Sequence, residues 1–482
     1  MKRKNYRTSI IILILISIFG LTSVWAKQQP TVRESSSNVE IDFRVIEMSD
    51  DFGYTHWNNV VLGPDGNYYF AIGDHFERVL LISYDPETRK EKICLDSRNI
   101  SGLKDGKWHG RPDINPENGD MYLVGFDNGD LVYYNIYSGN YENIGQPLPG
   151  TGFQEHIWDW ERERLYGIGI RGELLVYDTK NRKLLFSEVP SGAMELDARS
   201  RVLDRETGKL YSSDGEWGDI YEYDPATNSV SRLLSTIGSA IRASTYSKDE
   251  TGAFWVLGRN GDIYKFWPEQ DKVEYQGTNY EDGGEYCSFI ERSPGGRYLY
   301  YHTAQQTRGL AQYDTQTGSI KILAALDNLS YNGIEYALAG SYGGALSADG
   351  SVIFLACNGV WGAYERPGMI YVSIPESERA GDPVMDVPEQ NNHSISDFAL
   401  LQNFPNPFNP TTTVSYSLQE KSPVAISIFN LNGEFVETLT KGIQDAGIHS
   451  VVWNASAQPS GAYFIRLIAG DLQMTKKCLF IK

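Results

Sequence analysis

Cysteine, helix-forming runs and positive charge are all scarce in this chain. Its four cysteines, Cys94, Cys287, Cys357 and Cys478, lie far apart. None has the spacing of a metal-binding or redox motif, which excludes a paired-thiolate zinc site and a disulfide-framework fold. Cys287 and Cys357 fall in neighbouring units of the repeat described below and could pair in an oxidising compartment. Isolated buried thiols are common, however, and a core of this size needs no disulfide. Lys and Arg total 43 against 62 Asp and Glu, a net charge of −19. Such a chain repels nucleic acid and anionic membrane, so a polyanionic ligand would need a local basic site. The acidity itself serves solubility. A phosphate-cradling glycine loop, a serine elbow and a helix–loop–helix calcium loop are also missing.

Long apolar runs are missing too, with one exception. MKRKNYR opens the chain as a cationic stretch, SIIILILISIFGL follows, and Val24-Trp25-Ala26 offers small residues at the positions a signal peptidase reads. Residues 1–26 are therefore expected to be a secretory signal peptide, with the mature chain starting near Lys27. The run is short for a spanning helix, which favours cleavage over a retained anchor. No integral span is expected in the mature chain.

What is plentiful is glycine (47), tyrosine (31) and tryptophan (10), with apolar residues at 41%. Short apolar stretches alternate with Gly/Asp/Asn/Pro turns, the pattern of many short strands. Between residues 39 and 376 a unit recurs. Its turns are Pro64-Asp65-Gly66, Glu117-Asn118-Gly119, Glu161-Arg162-Glu163, Glu206-Thr207-Gly208, Glu250-Thr251-Gly252, Pro294-Gly295-Gly296 and Ala348-Asp349-Gly350. Their last residues are 53, 44, 45, 44, 44 and 54 apart. Later strands end at Tyr84-Asp85, Tyr134-Asn135, Tyr177-Asp178, Tyr223-Asp224, Phe266-Trp267 and Tyr313-Asp314. A repeat of about 44 residues with four short strands predicts a seven-bladed β-propeller over 39–376. Six or eight blades, or two stacked sandwiches, are the alternatives. Val39–Met48 has no unit of its own and could close the ring on the seventh blade. Residues 377–397 are polar and read as a linker.

Residues 398–482 alternate with period two and carry an Asn432-Gly433 turn, so an all-β chain ending in a small Ig-like β-sandwich is expected. The motifs Gln402-Asn403-Phe404-Pro405-Asn406-Pro407-Phe408-Asn409-Pro410, Asn430-Leu431-Asn432-Gly433, Trp453-Asn454, Ser460-Gly461-Ala462-Tyr463 and Lys476-Lys477 occur in order. This segment strongly resembles the C-terminal sorting domain of type IX secretion cargo. The resemblance implies handling by the type IX secretion machinery and a secreted or outer-surface location. Such tags ride on cargoes of many activities.

In a propeller, each innermost strand starts at one face of the central channel, and loops between second and third strands reach the same face. Counting ten residues back from each turn gives His56, His109, Phe153, Ala198, Arg242, Tyr286 and Gly340. Asn58, Arg111, His156, Arg201, Glu285 and Tyr342 lie close by, and His75 and His302 fall in the other loops. His56, His75, His109 and Tyr286 are thus the candidate catalytic residues. Asn58, Arg111, His156, Arg201, Arg242 and His302 are the candidate ligand-binding residues. Arginine grips carboxylates through a bidentate fork, and aromatic rings stack on sugars. Three histidines could hold a divalent metal; no other cofactor is implied. Polar residues gather at loop ends in any case, so a shared face alone does not make a site. The acidic pairs Glu155/Asp159 and Glu281/Asp282 are the only candidate glycosidase carboxylates. His56-Trp57-Asn58 followed by Gly73-Asp74-His75 resembles in outline the paired-histidine blade of polysaccharide lyases of the ulvan lyase type. A non-catalytic propeller binding an extracellular glycan or another small ligand is the first expectation. A polysaccharide lyase acting on a uronic-acid polymer is the alternative.

Overall fold

The seven recurring turns share one backbone feature: the last residue of each is left-handed. Gly66, Gly119, Glu163, Gly208, Gly252, Gly296 and Gly350 all have φ between +53° and +81°. Only glycine adopts this conformation without steric cost, which is why the repeat is written in glycine. Glu163 is the exception. Its carbonyl accepts from Thr179 N at 3.0 Å and its carboxylate from Thr179 Oγ1 at 2.8 Å.

The computed structural model describes residues 32–33, 39–46, 55–56, 60–74, 78–103, 108–109, 111–125, 129–147, 153–169, 171–191, 193, 196–197, 199–278, 289–303, 309–326, 328–382, 398–400, 403, 408–470 and 472–482. The signal-peptide segment and most of the expected linker lie outside them. Among the described residues there is no α-helix, and none long and apolar enough to cross a membrane. The chain is all-β, built of small antiparallel sheets, seven before residue 376 and two after it.

Each left-handed turn joins the first strand of a sheet to its second. In the third sheet, Phe153–Asp159, Arg164–Gly169, Leu174–Asp178 and Lys183–Glu188 pair in chain order. The tyrosine-acid pairs close the third strands. Asp85, Asn135, Asp178, Asp224 and Asp314 each turn a side-chain oxygen back to accept a backbone N–H two or three residues on. That Asx turn launches the fourth strand. Second and third strands such as Tyr68–Gly73 and Leu131–Asn135 are buried along their whole length, whereas the fourth strand Ser229–Thr236 is mostly exposed. Strands covered on both faces must be almost continuously apolar, and these are.

What covers each sheet is the next one. Tyr69 and Leu81 of the first sheet pack with Leu123 and Val132 of the second. Val124 packs with Leu165, Tyr166 with Leu210, Tyr211 with Val256, Trp255 with Tyr301, and Tyr300 with Leu355. A last cluster sets Phe354 and Met369 of the seventh sheet against Phe70 and Ile82 of the first. There Phe354 stacks on Tyr68 and Tyr84, with ring centroids 4.7 and 4.9 Å away. The N-terminal strand Glu40–Val45 lies antiparallel on Tyr364–Ser373 and is the outer strand of the seventh sheet. Val32–Arg33 adds a parallel strand to Ile320–Ala325, a pairing without a signal in the sequence.

Residues 376–382 are not free linker. The Asp382 carboxylate accepts from Ser293 Oγ, Gly295 N and Arg297 N at 3.0, 3.2 and 3.0 Å. Tyr298 Oη donates to the Ala380 carbonyl, and Lys321 pairs with Glu378. The segment thus caps the turn of the sixth sheet. Its polar composition reads as linker because these hydrogen bonds leave no hydrophobic pattern.

In the C-terminal unit, Ala399–Leu400, Thr411–Leu418 and Gly447–Asn454 form one sheet. Ser422–Asn430, Phe435–Gln444, Gly461–Ala469 and Leu472–Phe480 form the other. Val414, Tyr416 and Trp453 face Ile426, Ile465 and Phe480 between them. The Asn432-Gly433 turn is present, but with four linking residues rather than two. Asn430 Oδ1 accepts from both Asn432 N and Glu434 N, and only Gly433 is left-handed. Cys357 and Cys478 are buried free thiols; Cys287 lies outside the described residues, and no disulfide joins Cys357 to it.

Candidate functional site

The first strands of the second, fourth and fifth sheets carry, or lie beside, a cluster of arginines. Arg111 follows Trp108–His109 in the second sheet. Arg199 and Arg201 lead into Val202–Asp204 in the fourth, and Arg242 sits in Ile241–Ser244 of the fifth. Together with Glu291 of the sixth sheet and Gly344 of the seventh they line one cleft that opens to solvent.

Four guanidiniums this close must be partly neutralised. Arg201 Nη1 meets Glu155 Oε2 at 2.5 Å, both nearly buried, and Arg199 Nε lies 3.9 Å from the same carboxylate. Arg242 Nη1 is 3.4 Å from Asp197, and Arg111 Nε is 3.2 Å from the buried Asp113. Asp113 is shared with Arg205, whose guanidinium lies 4.2 Å from the ring centres of both Trp160 and Tyr246. Three carboxylates thus answer five arginines. The remaining acid, Glu291, makes no ion pair among the described residues. Burial raises its carboxyl above the usual range, and the charge of Arg111 only partly opposes this. Burial also lowers the Arg242 guanidinium, with Arg199 and Arg259 acting in the same direction against Asp197. The cleft is a locally cationic site in an acidic chain.

Of the residues expected from sequence, Arg111, Arg201 and Arg242 come together here. His156 and His302 do not line the cleft. Both are buried, and His156 Nε2 lies 3.1 Å from the Tyr122 carbonyl, tying the third sheet to the second. The backbones of His56 and His109 pair with Ile72 and Val124, each one residue from the end of its sheet's second strand. Their side chains, and Asn58, His75, Tyr286, Glu281 and Asp282 altogether, lie outside the described residues. Glu155 and Asp159 do not form a catalytic pair. They stand four strand residues apart, about 13 Å, and each has its own arginine, Asp159 holding Arg162 at 3.0 Å. Among the described residues no group of three His, Cys, Asp or Glu could hold a metal ion.

Arg199 and Glu291 were missed. A fixed step of ten residues assumes first strands of equal length. Ile241–Ser244 is followed by a long turn before Gly252, whereas Ile290–Arg292 runs almost directly into Gly296. The step therefore reaches Arg242 in one sheet and overshoots Glu291 in the next. The pair Arg199 and Arg201 just ahead of the strand Val202–Asp204 was the available signal.

Residues 402–482 match the family described as the secretion system C-terminal sorting domain. No curated protein matches the chain. The C-terminal sandwich is a type IX sorting domain, and the protein is secreted or displayed at the cell surface. The sorting domain's Asn-Pro-Phe-Asn-Pro motif has a physical role. Its Phe408 lies in the core, 5.2 Å from the Trp453 ring and 5.1 Å from Phe480. Phe408 N donates to the Leu479 carbonyl, and its own carbonyl accepts from Ile481 N, both at 3.0 Å. The start of the domain is thereby bonded to its last strand.

Proposed function

We propose that residues 39–382 form a seven-bladed β-propeller whose channel binds a carboxylate-bearing glycan outside the cell, with the sorting domain as its export tag. Seven four-strand meanders, each sharing a core with the next and the last with the first, support the propeller reading. The outer position of Glu40–Val45 on the seventh sheet supports the same reading, since such a ring needs a closing strand.

The observation that carries the binding reading is the convergence of Arg111, Arg199, Arg201 and Arg242 on one cleft of a chain with net charge −19. Desolvating guanidiniums is costly, and a fold does not need four of them in its channel. An anionic ligand recovers that cost through charge-assisted hydrogen bonds. A lyase would require a base beside the arginines. Among the described residues no histidine or tyrosine lines the cleft, so the binding reading is the one its arginines support.

Calorimetric titration of the mature protein with oligomers of galacturonate, alginate and a neutral glucan tests this. Uronate oligomers should bind and the glucan should not. Combining Arg199→Gln with Arg242→Lys should weaken uronate binding by about 10- to 100-fold, the worth of one or two charged hydrogen bonds. Failure of every uronate to bind above the glucan control would reject the reading. Absorbance of unsaturated product in the same mixtures would revive the lyase.

A further inference from the structure

We infer that Trp217 is a second sugar subsite, a stacking platform that takes the residue next to the uronate held by the arginines; this rests on the glycan reading of the cleft. Trp217 sits in the short turn between Lys209–Ser213 and Asp219–Asp224 and is 63% exposed. A single exposed aromatic means little by itself. Three further observations set this one apart.

The turn does not require an indole. Equivalent turns in the second, third and fifth sheets place Asn128, Arg171 and Asn260 before their left-handed glycines, Gly129, Gly172 and Gly261. The seventh sheet also has a tryptophan there. Trp361, however, packs on Tyr331 and donates Nε1 to its carbonyl at 3.1 Å. Among the described residues Trp217 makes no such contact.

The indole is also held on a rigid base. Asp214 Oδ1 accepts from Trp217 N at 2.8 Å and Gly218 N at 2.9 Å, and the Trp217 carbonyl accepts from Thr236 Oγ1 at 3.1 Å. Gly218 is pressed against the Ser239 backbone so closely that a Cβ would stand 2.3 Å from it. The main chain that carries the indole is therefore ordered before any ligand arrives, which lowers the entropy lost on binding.

Finally, the turn abuts the cleft. Asp197, the partner of Arg242, donates its N–H to the Ser213 carbonyl at 3.0 Å. A methyl on Gly215 would lie 4.0 Å from the Asp197 carboxylate. The carbon face of a sugar ring is the chemistry an exposed indole recognises, and an oligosaccharide acid has one beside its carboxylate.

The test compares galacturonic acid with its tetramer on the mature protein and its variants. Wild type should bind the tetramer more tightly than the monomer. In Trp217→Ala the tetramer-to-monomer affinity ratio should fall about three- to tenfold, and Trp217→Phe should restore most of it. An unchanged ratio in Trp217→Ala, with binding still lost in the double arginine variant, overturns the platform and leaves the cleft reading standing. Absence of any uronate binding by wild type overturns both.

Discussion

Two glycines with nearly the same backbone angle should differ severalfold in what alanine costs them. Gly252 has φ +81° and nothing within 4 Å of the position its Cβ would take. Gly218 has φ +71°, but its Cβ would sit 2.3 Å from both the nitrogen and the oxygen of Ser239. Gly252→Ala meets only the left-handed penalty, about 1–2 kcal/mol. Gly218→Ala meets that penalty and a clash with main chain. Main chain cannot swing aside as a side chain tip can, and Ile237 N donates to the Gly218 carbonyl at 3.1 Å, so relief would break a hydrogen bond. Overpacking adds about 1–3 kcal/mol and the bond about 1 more, giving roughly 3–6 kcal/mol in all. Urea unfolding of the mature protein, followed by tryptophan fluorescence and far-UV circular dichroism together, reads the difference. Comparable losses in the two variants would refute the reasoning, because backbone angle alone would then account for both.

Three further outcomes are expected. Asp382→Ala removes the acceptor for three hydrogen bonds and should lower stability by about 2 kcal/mol in the same unfolding assay, whereas a true linker residue would have no effect. The pH profile should have two limbs. Asp249 and Asp314 are pushed up by burial but held below the usual carboxylate range by Lys265 and Arg297 and their turn N–H groups, so their stabilisation, present above about pH 4, is lost as pH falls through the folded values. Glu291 has the opposite sign: its raised carboxyl costs stability as pH rises through the folded value, and Glu291→Gln should stabilise the protein at neutral pH and leave acid stability unchanged. Burial pushes the Cys357 and Cys478 thiols up to about 12, so neither should alkylate at neutral pH until denaturant is added, as read by peptide mass spectrometry.

Most of the strand pattern was legible because two local rules repeat. Left-handed turns demand glycine, and third strands end in an Asx-turn residue. Glycine at 66, 119, 208, 252, 296 and 350, and acids or asparagine at 85, 135, 178, 224 and 314, mark the ends of strands with little help from tertiary context. The Val32–Arg33 strand and the docking of residues 376–382 were not legible. Both are held by main-chain pairing or by single polar contacts to distant residues, and neither kind of contact imposes a local pattern.

The candidate site was half legible for a related reason. Charge that is neutralised across sheets cannot be seen from one sheet. Arg201 looks like a free cation in sequence, yet it is nearly consumed by Glu155, 46 residues earlier. Arg199, two residues before it, stands farther from the same carboxylate, 3.9 Å against 2.5 Å, and its side chain is the more exposed. The two are therefore unequal partners for a ligand. Arg201 holds the third sheet to the fourth, and its loss would strand Glu155 as a buried charge, a cost of about 3–5 kcal/mol. Arg199 gives up a longer contact to Glu155 and starts from a more exposed position when it turns to a ligand. A substitution that weakens binding without unfolding the chain should accordingly be found at 199 and not at 201. Arg199→Gln should keep its unfolding midpoint near wild type while uronate affinity falls, and Arg201→Gln should lose stability first. The reverse order would mean that the ion pairs in the cleft are not what divides structural from ligand-facing arginines.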